Sequence, residues 1–109
     1  MSTKLLDKTA AEAAERQIGK FDLLHEDEKT KITHWVIKPG EQTGWHLHDY
    51  DYVAIQQSTG RLFFEHADGS TRAVDYSPGV ARAVSAPVEH NAINVGDVDI
   101  VVMEIEYKK

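Results

Sequence analysis

His46 and His48 stand two residues apart in the segment Gly44-Trp45-His46-Leu47-His48. On a β-strand that spacing turns both rings to the same face. Two neutral imidazoles side by side suit one divalent first-row ion, each nitrogen about 2.0–2.1 Å from it. On the residues alone the alternative is a polar, solvated strand face, because six histidines in 109 residues give such pairs by chance. Cysteine is absent. That removes disulfides, thiolate ligands and a cysteine nucleophile, and it fits a reducing compartment such as the cytoplasm. Metal chemistry is left to the imidazoles, the carboxylates and four tyrosines.

The elements that must position this pair are strands. Lys31 to Ile37 is rich in β-branched and aromatic residues and ends at the turn signal Pro39-Gly40. Trp45 to His48 and Tyr52 to Gln56 read as short strands. Arg61 to His66 alternates and runs into Asp68-Gly69, a hairpin signal. Arg72 to Asp75, Val80 to Ser85, Asn91 to Val95 and Asp99 to Tyr107 follow, separated by Ser77-Pro78-Gly79 and Gly96-Asp97. Many short strands joined by regular turns predict an all-β sandwich or barrel, in which closure removes exposed edges. Residues 1–20 differ. Thr9 and Glu12 have capping-box spacing, Ala10 to Gln17 contains good helix formers, and Gly19 is a natural stop. The expectation is an N-terminal helical segment over 1–20 and one β-barrel domain over 21–109, since a chain this short builds a single core.

Composition narrows the partners. A formal charge of −6 without a Lys/Arg cluster excludes nucleic acid, whose binding runs on phosphate neutralisation, and disfavours anionic membranes. No apolar run reaches the roughly 20 residues a spanning helix needs, and the N-terminus has no signal-like apolar core. A small-molecule ligand is the expected partner, and the thin stability margin of a small domain favours a homodimer.

The order of these features resembles the cupin family, the RmlC-like jelly rolls. Its first motif is Gly, five residues, His-x-His, three or four residues, Glu, six residues, Gly. Here Gly40 precedes His46-Leu47-His48, and Gly60 closes the segment. The second motif ends in His, three residues, Asn, matched by His90 and Asn94. The resemblance spans about residues 39–95 and implies a single-domain jelly-roll β-barrel. It also implies that His46, His48 and His90 converge on one divalent metal ion, Fe, Mn, Zn or Ni. The family's Glu is not matched: Tyr52 stands four residues after His48. Ser85 and Pro87 replace the usual Pro and Gly of the second motif.

Three neutral imidazoles leave a divalent ion its full charge, which favours an anionic partner. Three protein ligands with open positions is also the pattern of a catalytic centre. The resemblance therefore implies a mononuclear metal-dependent enzyme acting on a small anionic organic molecule, dioxygenase-like or a lyase or isomerase. The alternative is a non-catalytic or metal-free ligand-binding barrel. Tyr52, ordinarily neutral, is expected beside the metal as the catalytic hydrogen-bond donor or proton shuttle. Tyr52, Asp51 or water remain the candidates to complete the site. Asp49, Asp51, Glu89 and Arg82 are expected to face solvent, and Asn94 to fix backbone near the metal strand. His25, His34 and His66 lack ligand spacing, although His66 is in step with Leu62 and Phe64 and falls at the barrel mouth. Trp35, Trp45, Phe63 and Phe64 are read as core or interface.

Overall fold

The structure, a computed structural model, describes residues 16–108. Among them are nine strands and no helix: β1 (Lys20–Glu26), β2 (Thr30–Ile37), β3 (His46–His48), β4 (Asp51–Gln56), β5 (Gly60–His66), β6 (Thr71–Tyr76), β7 (Ala81–Val84), β8 (Val88–Asn94) and β9 (Ile100–Tyr107). They form two antiparallel sheets, of order β1-β2-β9-β4-β7 and β3-β8-β5-β6. Apart from the β1–β2 and β5–β6 pairs, consecutive strands land in opposite sheets, as in a jelly roll, so an all-β fold built on crossed connections is what the turn signals anticipated.

Turn chemistry sets the registers. At Asp68-Gly69 the Asp68 carboxylate accepts from the Ser70 backbone N–H and hydroxyl, and Gly69 takes φ 89°. This left-handed conformation suits glycine, and it pairs β5 with β6 from Glu65↔Thr71 to Gly60↔Tyr76. Gly60 is constrained by space as well, since a Cβ there would come within 2.6 Å of Ile100. Asn94, as expected, holds backbone: its Nδ2 donates to the carbonyls of Ile37 and Val98, and its Oδ1 accepts from Gly96.

The core fills one end of the sandwich with Trp35, Ile37, Leu62, Val74, Tyr76, Ala92, Ile100 and Val102. Phe64 packs against it, Phe63 is half-buried, and Trp45 is exposed. Along β4, β5, β8 and β9 the inward positions continue from this apolar end toward the histidines.

Two sequence expectations change. The helix over 1–20 falls mostly on residues 1–15, outside the described residues. The remainder is not helical: Ile18 bridges Gln42 in parallel and Gly19 donates to the Gln42 carbonyl, so Gly19 belongs to an extended run rather than to a helix stop. Second, the strand content starts at Lys20, because β1 pairs with β2 over Lys20↔Val36 to Glu26↔Lys31. Every β1 residue is exposed, so the strand carries no buried–exposed alternation to betray it.

Candidate metal centre

The three-residue strand β3 pairs antiparallel with β8, which sets His46 directly opposite His90 and His48 opposite Val88. The spacing of two keeps His48 on the same face as His46, and the register supplies the third ring across the strand. His48 and His90 are 5% and 3% exposed, and His46 is part-buried. Their Nε2 atoms converge: His46 to His48 is 3.0 Å, and His46 to His90 is 3.1 Å. Among the described residues these three are the group able to hold an ion, with ligand atoms all within 4.8 Å of one another.

The opposite ring nitrogens decide what these atoms present. His46 Nδ1 lies 2.8 Å from the Gly44 carbonyl oxygen, which can only accept, so Nδ1 carries the proton. His48 Nδ1 lies 3.3 Å from the Glu106 carboxylate and donates in the same way. Both neutral rings therefore aim an Nε2 lone pair at the same point, 3.0 Å apart. Two facing lone pairs repel unless a cation sits between them.

A proton is a poor candidate for that cation. Burial pushes the His46 pKa below its usual value, against the raising effects of the Gly44 carbonyl and Glu106. His48 is lowered by burial and then by His46, with Glu106 opposing. His90 is depressed to about 3 by burial and by the charges His46, His48 and His66 would carry.

A metal ion fits the donor set. Two nitrogens about 2.1 Å from one centre lie about 3.0 Å apart at a right angle and about 3.4 Å apart at the tetrahedral angle. The observed 3.0 and 3.1 Å lie at about the spacing that nitrogens sharing one ion would have.

The other sheet adds two carboxylates that sequence reasoning missed. Glu106 and Glu104 on β9 lie opposite Tyr52 and Ala54 of β4. Glu106 orients His48, the carboxylate–histidine arrangement that fixes a ligand's tautomer and raises its basicity. Glu104 lines the cavity beneath, where burial and then the charge of Glu106 raise its pKa to about 7, against a hydrogen bond from Trp35. The carboxylates beside the site thus come from β9 rather than from the position four after His48, which Tyr52 occupies. The available signal was phase: both acids are in step with Ile100 and Val102, the buried positions of the same strand.

Tyr52 is buried, with its ring stacked on His48 at 4.2 Å between centroids and 30° between planes. Burial, then the neighbouring Glu104, pushes its pKa upward, so it stands beside the site as a neutral phenol. Asp51 is exposed and accepts from the Ala86 backbone N–H, which removes it from the ligand candidates. Asp49 and Glu89 are exposed too. Arg82 is exposed but lines the cavity together with Arg72. His66, opposite His90 on β5, lies 5.8 Å from it between ring centroids and also lines the cavity. The space enclosed is about 410 Å³, the size of a small-molecule site.

No model of a known protein family matches the sequence. Curated and solved proteins do. The beta-alanine degradation protein BauB of Pseudomonas aeruginosa is 38% identical over 77 residues, 71% of this chain and 80% of that protein. A cupin domain from Bordetella pertussis is 36% identical, with a TM-score of 0.82 over 87% of this chain and 98% of that one. The chain is a cupin. An RmlC-like cupin from Methanocaldococcus jannaschii shares the fold at 18% identity, with a TM-score of 0.69 over 85% of this chain and 83% of that one. Among the described residues of this cupin, no helix is long and apolar enough to cross a membrane.

Proposed function

We propose that the protein is a cytoplasmic, mononuclear metal-dependent enzyme acting on a small carboxylate, with dioxygenase-like chemistry as its reaction class. The observation that carries this reading is the pair of Nε2 lone pairs of His46 and His48 facing each other at 3.0 Å, with His90 Nε2 3.1 Å from the first. His46, His48 and His90 would hold one divalent ion, Fe, Mn, Zn or Ni. Such an ion supplies Lewis acidity and open coordination positions.

The chain's own residues do the rest. Glu106 keeps His48 in the ligating tautomer. Tyr52 holds a proton on its phenol oxygen and donates it, or a hydrogen bond, to a group bound beside His48. Arg72 and Arg82 bring positive charge to the cavity wall of an otherwise acidic chain, and neither makes an ion pair among the described residues. A carboxylate substrate is drawn there. The similarity to a protein named for beta-alanine degradation supports a small carboxylate of that class.

A homodimer belongs to the same proposal. Phe21, Leu23 and Leu24 are more than half exposed on β1, which is a sheet edge. A second copy covers such a strand well. Light scattering is expected to give twice the chain mass.

The test of function is metal content of untagged protein, followed by an oxygen electrode with iron-loaded protein and a panel of amino acids, hydroxy acids, oxo acids, thiols and diketones. One equivalent of metal and oxygen uptake with a carboxylate are expected. Protein that takes up none of Fe, Mn, Zn or Ni contradicts the proposal and leaves a metal-free binding barrel as its function.

A further inference from the structure

The cavity beside the histidines is rich in donors and poor in anions. Arg72 on β6 is in phase with the buried Val74 and Tyr76, and Arg82 on β7 lies opposite Ala54 of β4, so both arginines occupy inward positions of their strands. β6 ends one sheet and β7 ends the other. Both arginines line the cavity while remaining exposed, so a ligand entering from solvent reaches them. Neither side chain makes an ion pair or a hydrogen bond among the described residues. A guanidinium has five N–H donors and no acceptor, and it keeps its charge at any working pH.

Two phenols face the same space. Tyr52 and Tyr76 line the cavity, and neither hydroxyl has a hydrogen-bond partner among the described residues. Burial, then Glu104, pushes the Tyr76 pKa upward against the charge of Arg82, so its phenol keeps the proton and donates. Tyr52 is kept neutral by burial and Glu104 as well, with Arg72 opposing. Each guanidinium therefore acts on one of the phenols. Glu104 is the one anion among the described lining residues, and it pairs with neither arginine.

A divalent ion would add its charge to that of the two guanidiniums, and Glu104 and Glu106 offset only part of the sum. A ligand with two negative charges balances the site, where one carboxylate on the ion would leave both arginines unanswered. We infer that Arg72, Arg82 and Tyr76 form a second carboxylate subsite in the cavity, so that the substrate is a short dicarboxylate with one end at the imidazoles and the other at the guanidiniums. The planar fork of each arginine matches a carboxylate bidentately, and the Tyr76 hydroxyl supplies a further donor. The enclosed space of about 410 Å³ is the size of a small-molecule site. This rests on the proposed metal centre for the first carboxylate, but the arginine subsite itself needs no ion.

The test is calorimetry with malonate, succinate and glutarate, each set against the monocarboxylate of equal carbon number, propanoate, butanoate or pentanoate. Zinc-loaded and EDTA-treated protein are both titrated. With zinc, at least one dicarboxylate is expected to bind about tenfold tighter than its monocarboxylate. In the double variant Arg72→Gln/Arg82→Gln, which alters two exposed side chains, that ratio is expected to fall below about threefold with zinc uptake unchanged. Ratios below about twofold for all three pairs in wild type, absence of binding by any dicarboxylate, or a tenfold ratio that survives both substitutions overturn the inference. Zinc uptake, measured on the same samples, separates the two claims. Protein that takes up no zinc yet holds a dicarboxylate that the double variant releases contradicts the metal centre alone. Normal zinc uptake with equal affinities contradicts the arginine subsite alone.

Discussion

The two sheets contribute different chemistry to one site. The four-stranded sheet brings the imidazoles, His46 and His48 from β3 and His90 from β8. The five-stranded sheet brings the groups that set their charge and orientation, Tyr52 from β4 and Glu104 and Glu106 from β9. Ligand atoms must meet within about 3 Å, which the register of one short antiparallel strand pair, β3 with β8, achieves. Charge compensation acts through one more residue and tolerates looser geometry, so it is supplied across the sandwich by a strand nearly sixty residues away, as in the 3.3 Å contact of His48 with Glu106. Removing a group from the first sheet should therefore abolish metal binding, whereas removing one from the second should only weaken or retune it.

The largest effect is expected for His90→Ala, which deletes one of the three imidazoles. Metal affinity should fall by at least about 100-fold, beyond what loss of an orienting partner usually costs. Competition with a chromophoric chelator measures it, and near-wild-type affinity would mean that the imidazoles are not the ligands. Glu106→Gln comes next, with a loss of about tenfold in metal affinity, because His48 keeps its ring but loses the carboxylate that orients it. A loss as large as that of His90→Ala would break the division between the sheets by making Glu106 a ligand itself.

Glu104 sharpens the comparison through pH. Its carboxyl group has a folded pKa of about 7, above the ordinary 4.5, because burial and Glu106 disfavour the charge. The folded state then binds the proton more tightly than the unfolded one, so this contribution to stability is fully present below about pH 4.5 and is lost as pH rises through 7. The carboxylate is only partly buried, and screening brings the expected loss to about 1 kcal/mol. Urea titrations of EDTA-treated protein at pH 5 and pH 7.5 should show it in wild type and not in Glu104→Gln, once the remaining pH dependence is subtracted. Tyr52→Phe should have the smallest effect on metal, less than about twofold, since the ring that stacks on His48 is retained and the phenol is no ligand. A large loss of metal in that variant would instead place the phenolate on the ion.

How legible this was in the sequence follows the same division. His46 and His48 could be read because their spacing and the Pro39-Gly40 turn are local signals, whereas His90, 44 residues from His46, was legible only through the family resemblance. β1 could not be read, since an edge strand exposed at every position shows no alternation to detect. Glu104 and Glu106 were hidden for another reason. Acids on a strand read as its wet face, and only the placement of β9 between β2 and β4 turns them inward.

The convergence of three imidazoles on one ion is the central claim, and anomalous scattering from crystals of untagged, metal-loaded protein tests it most directly. One peak is predicted, about 2.0–2.2 Å from the Nε2 atoms of His46, His48 and His90, with the Glu106 carboxylate on His48 Nδ1 and away from the ion. Absence of any peak among the three rings after loading with Fe, Mn, Zn and Ni in turn, or a peak coordinated by other residues, would contradict it.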